Sequence, residues 1–172
     1  MKSKLIPIIL ISIFLTTFVI FFKGLKSSNI YTPNTTLEKK IPSFELKSFE
    51  NNSIIISEKI FKDNEYYFMN IWASWCIPCK EEHKFLMELK RSGKIKLIGF
   101  NYKDNFKNAS SFLKDLGNPY DIIVSDKDGT GSIEWGAYGV PESFLVYQSK
   151  IIKRFIGPIN SEDLLEIQRT IR

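Results

Sequence analysis

The chain has 172 residues, 44 % apolar and 25 % charged, which suits one globular domain with an appendage. Its formal charge of +5 is unevenly placed: Lys2, Lys4, Lys23 and Lys26 precede the first acid, Glu38, and residues 27–172 carry 20 basic against 19 acidic side chains. The high pI therefore belongs to the N-terminal tail, and a nearly neutral body excludes a charge-driven nucleic-acid surface.

Leu5 to Phe22 is 18 residues without a charge, enough to span a bilayer. The next residues, Lys23-Gly24-Leu25-Lys26-Ser27-Ser28, make a poor signal-peptidase site, so residues 1–26 read as an uncleaved anchor rather than a cleaved signal. A short tail inside and a large domain outside is the simpler topology, and it places the cysteines in an oxidising compartment. Residues 27–40 are polar, contain one proline, and read as a tether. Residues 41–172 form the domain.

Phe44–Leu46 and Ser53–Ser57 are short strand candidates, paired as a hairpin around Glu50-Asn51-Asn52. Tyr66–Trp72 (YYFMNIW) is an apolar run that predicts a buried central strand. A helix begins near the cysteine pair and runs to Arg91, with Gly93 as its stop and Phe85, Leu86 and Leu89 on its apolar face. Ile95–Asn101 is a strand, Phe106–Leu116 a helix closed by Gly117, and Tyr120–Val124 a strand leading into an Asp-Lys-Asp-Gly turn at 126–129. Ser143–Tyr147 and Ile151–Ile156 form a hairpin, and a last helix follows Pro158. Strands and helices alternate, then a hairpin and helix close the chain: an α/β fold with a mixed central sheet flanked by helices.

Trp75-Cys76-Ile77-Pro78-Cys79-Lys80 holds the only two cysteines. So small a loop adds only about 2 kcal/mol of chain-entropy stabilisation, which argues against a structural staple and for a pair that opens and closes. At a helix start, unpaired N–H groups favour a thiolate at Cys76, the attacking group, while Cys79 lies one turn inside as the resolving thiol. Trp75 reads equally as a docking surface beside the sulfur or a core aromatic. Cys76, Cys79 and His83 have a plausible zinc spacing, but no further Cys or His exists to close the site, so no metal is expected. Haem attachment needs a His directly after the second Cys, and Lys80 stands there. The expected redox group is the Cys76–Cys79 disulfide itself, with no bound cofactor. Glu82, three residues after Cys79, shares its helical face; spacing leaves open a buried proton carrier or a solvated glutamate. His83 reads as a surface or packing residue rather than a base.

A second constellation is Gly136-Ala137-Tyr138-Gly139-Val140-Pro141-Glu142-Ser143-Phe144. If this loop faces the cysteine pair, a cis bond before Pro141 would expose the backbone at Val140 to an extended partner strand.

Together these stretches resemble the thioredoxin superfamily, and more closely the membrane-anchored thiol:disulfide oxidoreductases of cytochrome c maturation, the DsbE/CcmG family. The resemblance rests on Asn70-Ile71-Trp72-Ala73-Ser74-Trp75-Cys76-Ile77-Pro78-Cys79-Lys80-Glu81-Glu82-His83, Gly99-Phe100-Asn101-Tyr102-Lys103-Asp104, Leu116-Gly117-Asn118-Pro119-Tyr120, Gly139-Val140-Pro141-Glu142-Ser143-Phe144-Leu145 and Gly157-Pro158. It implies a thioredoxin-like fold with an N-terminal hairpin, a cis Val140–Pro141 bond, Glu82 as an active-site acid, and Glu142 beside the cis-proline in partner recognition. It further implies reduction of apocytochrome c cysteines, directly or through a maturation protein, by a domain held at the inner membrane in the periplasm. Electrons would come from an integral-membrane thiol donor. Lys84 departs from the family pattern and bears on partner recognition, not on the chemistry.

Overall fold

A computed structural model describes residues 5–26, 39–51 and 53–171, which fall into two units. The first holds one helix, α1 (Leu5–Lys26). Its apolar span Leu5–Lys23 has a mean hydropathy of 2.8. At about 1.5 Å per residue its 22 residues match the roughly 30 Å hydrocarbon thickness of a bilayer. The Thr16 and Thr17 hydroxyls donate to the Ser12 and Ile13 carbonyls at 2.6 and 2.8 Å. Both polar groups are thus satisfied inside the helix, as a lipid environment requires.

Most of the expected tether, up to residue 38, lies outside the described residues. Its last two residues are not tether: Lys39–Lys40 form strand β1, paired antiparallel with the final strand of the chain. The other elements follow as β2 (Glu45–Ser48), β3 (Ile54–Ile56), α2 (Ser57–Ile60), β4 (Tyr66–Trp72), α3 (Ile77–Ser92) and β5 (Lys96–Tyr102). Then come α4 (Phe106–Leu116), β6 (Ile122–Asp126), α5 (Thr130–Glu134), β7 (Glu142–Tyr147), β8 (Lys150–Ile156) and α6 (Ser161–Thr170). One sheet has the order β1-β8-β7-β4-β5-β6-β2-β3. β4, β5 and β6 are mutually parallel; β7 joins β4 antiparallel, and the β2–β3 hairpin adds to β6 antiparallel.

Alternation along the strands divides the core into two layers. Phe68, Trp72, Leu97, Ile123 and Leu145 face α3, α4 and α6, where Leu86, Leu89, Leu113, Leu164 and Ile167 meet them. Tyr67, Met69, Ile71, Phe100, Val124 and Phe144 face the other way, under Phe44, Ile60, Phe61 and Trp135. Leu86 and Leu89 are fully buried, each worth about 1.5–3 kcal/mol of burial.

Three boundaries differ from expectation for local reasons. Ser57 starts α2 instead of ending a strand, because its hydroxyl accepts the Phe44 N–H at 3.1 Å. The sixth strand begins at Ile122, not Tyr120: the Asn118 side chain turns the Tyr120 N–H, and the Tyr120 ring leaves to stack on Trp72. The 126–129 turn leads into a short helix, α5, whose Gly131 and Ser132 N–H groups are capped by the buried Asp126 carboxylate.

Candidate active site

Central strand β4 ends at Trp72, and four residues separate it from the start of α3 at Ile77. The turn between them is pinned from outside. Asp104, just after β5, accepts the Ser74 N–H at 2.6 Å and the Ser74 hydroxyl at 2.8 Å. Its own position is set by the Asn101 amide at 3.0 Å and the Asn105 N–H at 2.7 Å. The Trp75 indole donates to the Lys103 carbonyl at 3.2 Å, leaving a ring that is 56 % exposed beside the cysteines.

Cys76 is the N-cap of α3, with extended backbone, and Pro78 falls in the first turn, where no N–H is needed. The pair is closed as a disulfide, S–S 2.02 Å and Cα–Cα 5.3 Å. The Cys76 sulfur accepts the Cys79 N–H at 3.1 Å. In the reduced state that donor and the helix N-terminus favour a thiolate on Cys76, the form that attacks. Both sulfurs are largely buried, Cys79 the more so.

Glu82, one turn on, is 1 % exposed. Its Oε1 accepts from the Asn70 amide at 2.9 Å and its Oε2 from the Ile159 N–H at 2.9 Å. Burial pushes this carboxyl up to about 7, against the lowering pull of the Ile159 and Asn70 hydrogen bonds. A buried acid that titrates near neutrality one turn from a thiol can exchange a proton with it. His83 is turned elsewhere: its Nε2 lies 2.9 Å from the Gly117 carbonyl and its ring packs edge-on against Phe112. Burial holds it below its ordinary value, opposed by the Gly117 contact. Cys76, Cys79 and His83 therefore do not converge, and no cluster of three metal-capable side chains occurs among the described residues.

Antiparallel pairing of Asn70 with Ser143 and Ile71 with Glu142 brings the start of β7 to the end of β4 where the cysteine turn begins. The preceding bond, Val140–Pro141, is cis. Half-buried Val140 packs against the cluster that contains Cys76 and Cys79. So Val140 and Pro141, before β7, stand at the same end of the sheet as Trp75, Cys76 and Cys79 in the turn after β4, with Glu82 one turn along α3 from Cys79. Glu142 stands apart. It points to the opposite layer and is 2 % exposed. Its Oε2 accepts from Arg154 Nε and Nη2 at 2.9 and 2.5 Å, and its Oε1 from the Tyr138 and Gly139 N–H groups at 2.6 and 3.1 Å. Each oxygen of Glu142 already accepts two hydrogen bonds within the protein, so the carboxylate holds the loop in place, with the Arg154 guanidinium under the 73 % exposed Tyr138 ring.

Sequence reasoning gave no role to Asn70, Tyr120, Asp104 or Arg154, although the first three stand in the stretches that carry the resemblance. One signal was there: a lone amide inside the apolar run YYFMNIW must find partners once buried.

A thioredoxin-like sheet with a cysteine pair closed at the start of its first covering helix defines a thiol:disulfide oxidoreductase. The sequence pattern of the Redoxin family matches residues 36–169. The thiol:disulfide interchange protein DsbE of Allochromatium vinosum is 34 % identical over 162 residues, spanning 94 % of this chain and 87 % of that protein. The Vibrio cholerae DsbE is 37 % identical over 172 residues, spanning 96 % and 92 %. A crystal structure of a DsbE from Chlorobium tepidum superposes with a TM-score of 0.65 at 21 % identity, covering 81 % of this chain and 96 % of that one. The chain belongs to the Redoxin family, in its branch of DsbE-like thiol:disulfide interchange proteins.

Proposed function

We propose that this protein is a periplasmic, membrane-tethered reductant that keeps the cysteines of apocytochrome c, or of a maturation partner, reduced before haem attachment. The observation that carries the reading is the helix-capping Cys76–Cys79 pair backed by the buried, hydrogen-bonded Glu82. DsbE-named thiol:disulfide interchange relatives that match along almost the whole chain support the exchange chemistry, and the apolar span Leu5–Lys23 supports a membrane tether.

The chemistry runs in two displacements. The Cys76 thiolate attacks one sulfur of the client disulfide; the client bond breaks, and its other sulfur leaves as a thiolate. Ionised Glu82 takes the proton of the Cys79 thiol. The Cys79 thiolate then attacks Cys76 Sγ, closes the internal disulfide and releases the client's second sulfur. Two electrons pass to the client, whose thiolates are protonated from solvent. With no third cysteine in the chain, re-reduction needs an outside dithiol, for which an integral-membrane thiol donor is the fitting class. Trp75 and the Val140–Pro141 backbone flank Cys76 and receive the extended client.

The test is trapping in cells with Cys79→Ser. Partners should accumulate as mixed disulfides on Cys76, readable by mass spectrometry. Capture of apocytochrome c or a cytochrome-maturation protein supports the dedicated reductant. A spread of unrelated exported proteins points to a general thiol reductase or oxidase instead. Absence of any covalent partner, with stoichiometric metal on the wild type purified under reducing conditions, sinks the redox reading.

A further inference from the structure

We infer that Asn70, aligned by the Tyr120 hydroxyl, is a positioning residue that keeps Glu82 ionisable inside the core. It rests on the reading of Glu82 as the proton carrier for Cys79.

Asn70 sits in the middle of β4 and is fully buried, a position that otherwise favours an apolar side chain. Every polar atom of its amide is used. Nδ2 donates to Glu82 Oε1 at 2.9 Å and to Ser143 Oγ at 2.9 Å, and Oδ1 accepts the Tyr120 hydroxyl at 2.7 Å. The Tyr120 phenol cannot serve as a thiolate-like anion here: burial and the Glu82 charge both hold it well above its ordinary value. It stays a donor, so the oxygen of the Asn70 amide must face Tyr120 and the N–H₂ must face Glu82. The second oxygen of Glu82 meets the Ile159 N–H, a backbone donor that cannot reverse. Both carboxyl oxygens therefore meet fixed donors, an environment shaped for the anion, while desolvation alone would keep the group neutral. The balance is what leaves the acid able both to take and to give a proton.

The titratable groups facing Glu82 are few. They are Cys79, one turn before it on the same helix, and Tyr120 on the segment before β6. His83 is committed to Gly117, and the Glu142–Arg154 pair belongs to the other layer of the sheet. From α6 and the segment before it, the group that touches Glu82 is the neutral Ile159 N–H.

A charge-assisted hydrogen bond lost from a buried carboxylate raises its titration by about one to two pH units. The experiment uses the full chain in detergent micelles, carboxyl-labelled with ¹³C-glutamate, comparing wild type, Tyr120→Phe and Asn70→Leu. Tyr120→Phe keeps the ring and its stacking, so it remains informative if Asn70→Leu does not fold. The Glu82 carboxyl signal is followed from pH 5 to 10. In parallel, the rate at which Cys79 resolves a mixed disulfide between Cys76 and a small aromatic thiol is followed over the same range. Both midpoints should move up together by about one pH unit, slowing resolution roughly fivefold at pH 7. In a Glu82→Gln background, Tyr120→Phe should leave the rate profile where it was. A Glu82 titration unmoved in the folded variants overturns the inference. A Glu82→Gln chain with the wild-type rate profile sinks the proton-carrier reading itself, a result independent of the carboxyl titration.

Discussion

Burial of one carboxyl has a cost that shows outside the reaction. Glu82 titrates near 4.5 in the unfolded chain and at about 7 in the folded, oxidised one. Between those values the folded state holds a proton that the unfolded state has released, so stability falls as pH rises through that window. The full loss, complete above about pH 7, is on the order of 3 kcal/mol. Urea unfolding of the oxidised protein at pH 5 and pH 8 should show it, and Glu82→Gln should flatten the difference by that amount. The slope is the readout rather than the absolute stability, because the Gln N–H₂ must face one of two donors, Asn70 or Ile159. A Glu82→Gln protein with the wild-type slope would assign the pH dependence elsewhere. The residue itself was visible in the sequence as a helix position three after Cys79. Its partners were not: Asn70 lies 12 residues away and Ile159 lies 77 away, separations that only the folded sheet closes.

At the scale of elements, β5 supports the site through an absence. Gly99 pairs with Asn70 across β4, and a Cβ there would come within 2.8 Å of Trp72 Nε1 and 2.9 Å of Tyr120 Cγ. The glycine leaves room for the Trp72–Tyr120 stack, centroids 5.5 Å apart, that delivers the Tyr120 hydroxyl to Asn70. Gly99→Ala should cost about 1–3 kcal/mol by overpacking and, by displacing Tyr120, slow Cys79 resolution as well. Thermal unfolding and the resolution rate check the two effects; wild-type values in both would mean the stack has slack the structure does not show. Helix ends were more legible than strand ends. Gly93, in the left-handed region at φ 66°, stops α3 as the sequence predicted, and α6 starts soon after Pro158 as expected, on an Asn160–Asp163 capping box that the sequence analysis did not single out. The short α2 and α5 escaped notice because four or five residues cannot display a 3.6-residue period.

For the whole molecule, the alternation of strands and helices was enough to predict an α/β fold, and the two motif stretches told which kind. The meeting of those stretches was not readable from their spacing; it depends on β7 pairing antiparallel with β4, next to the strand that leads into Cys76. The proposed placement makes its own prediction. The full-length protein should stay with membranes through alkaline carbonate extraction, and protease added to spheroplasts, but not to intact cells, should degrade residues 41–172. Protection in spheroplasts would put the domain on the wrong side for its proposed clients. A tether of that kind would also concentrate copies in two dimensions, which would give the borders of the sheet a significance beyond folding. An open strand edge invites the same strand of a neighbouring copy. Here one border is the two-residue, doubly lysine β1 and the other the three-residue β3, which turns at once into α2. Neither border strand is itself long enough to template another chain, but β1 covers only Lys150 and Ile151 of the seven-residue β8, so stacking of crowded copies would start from the part of β8 that β1 leaves uncovered.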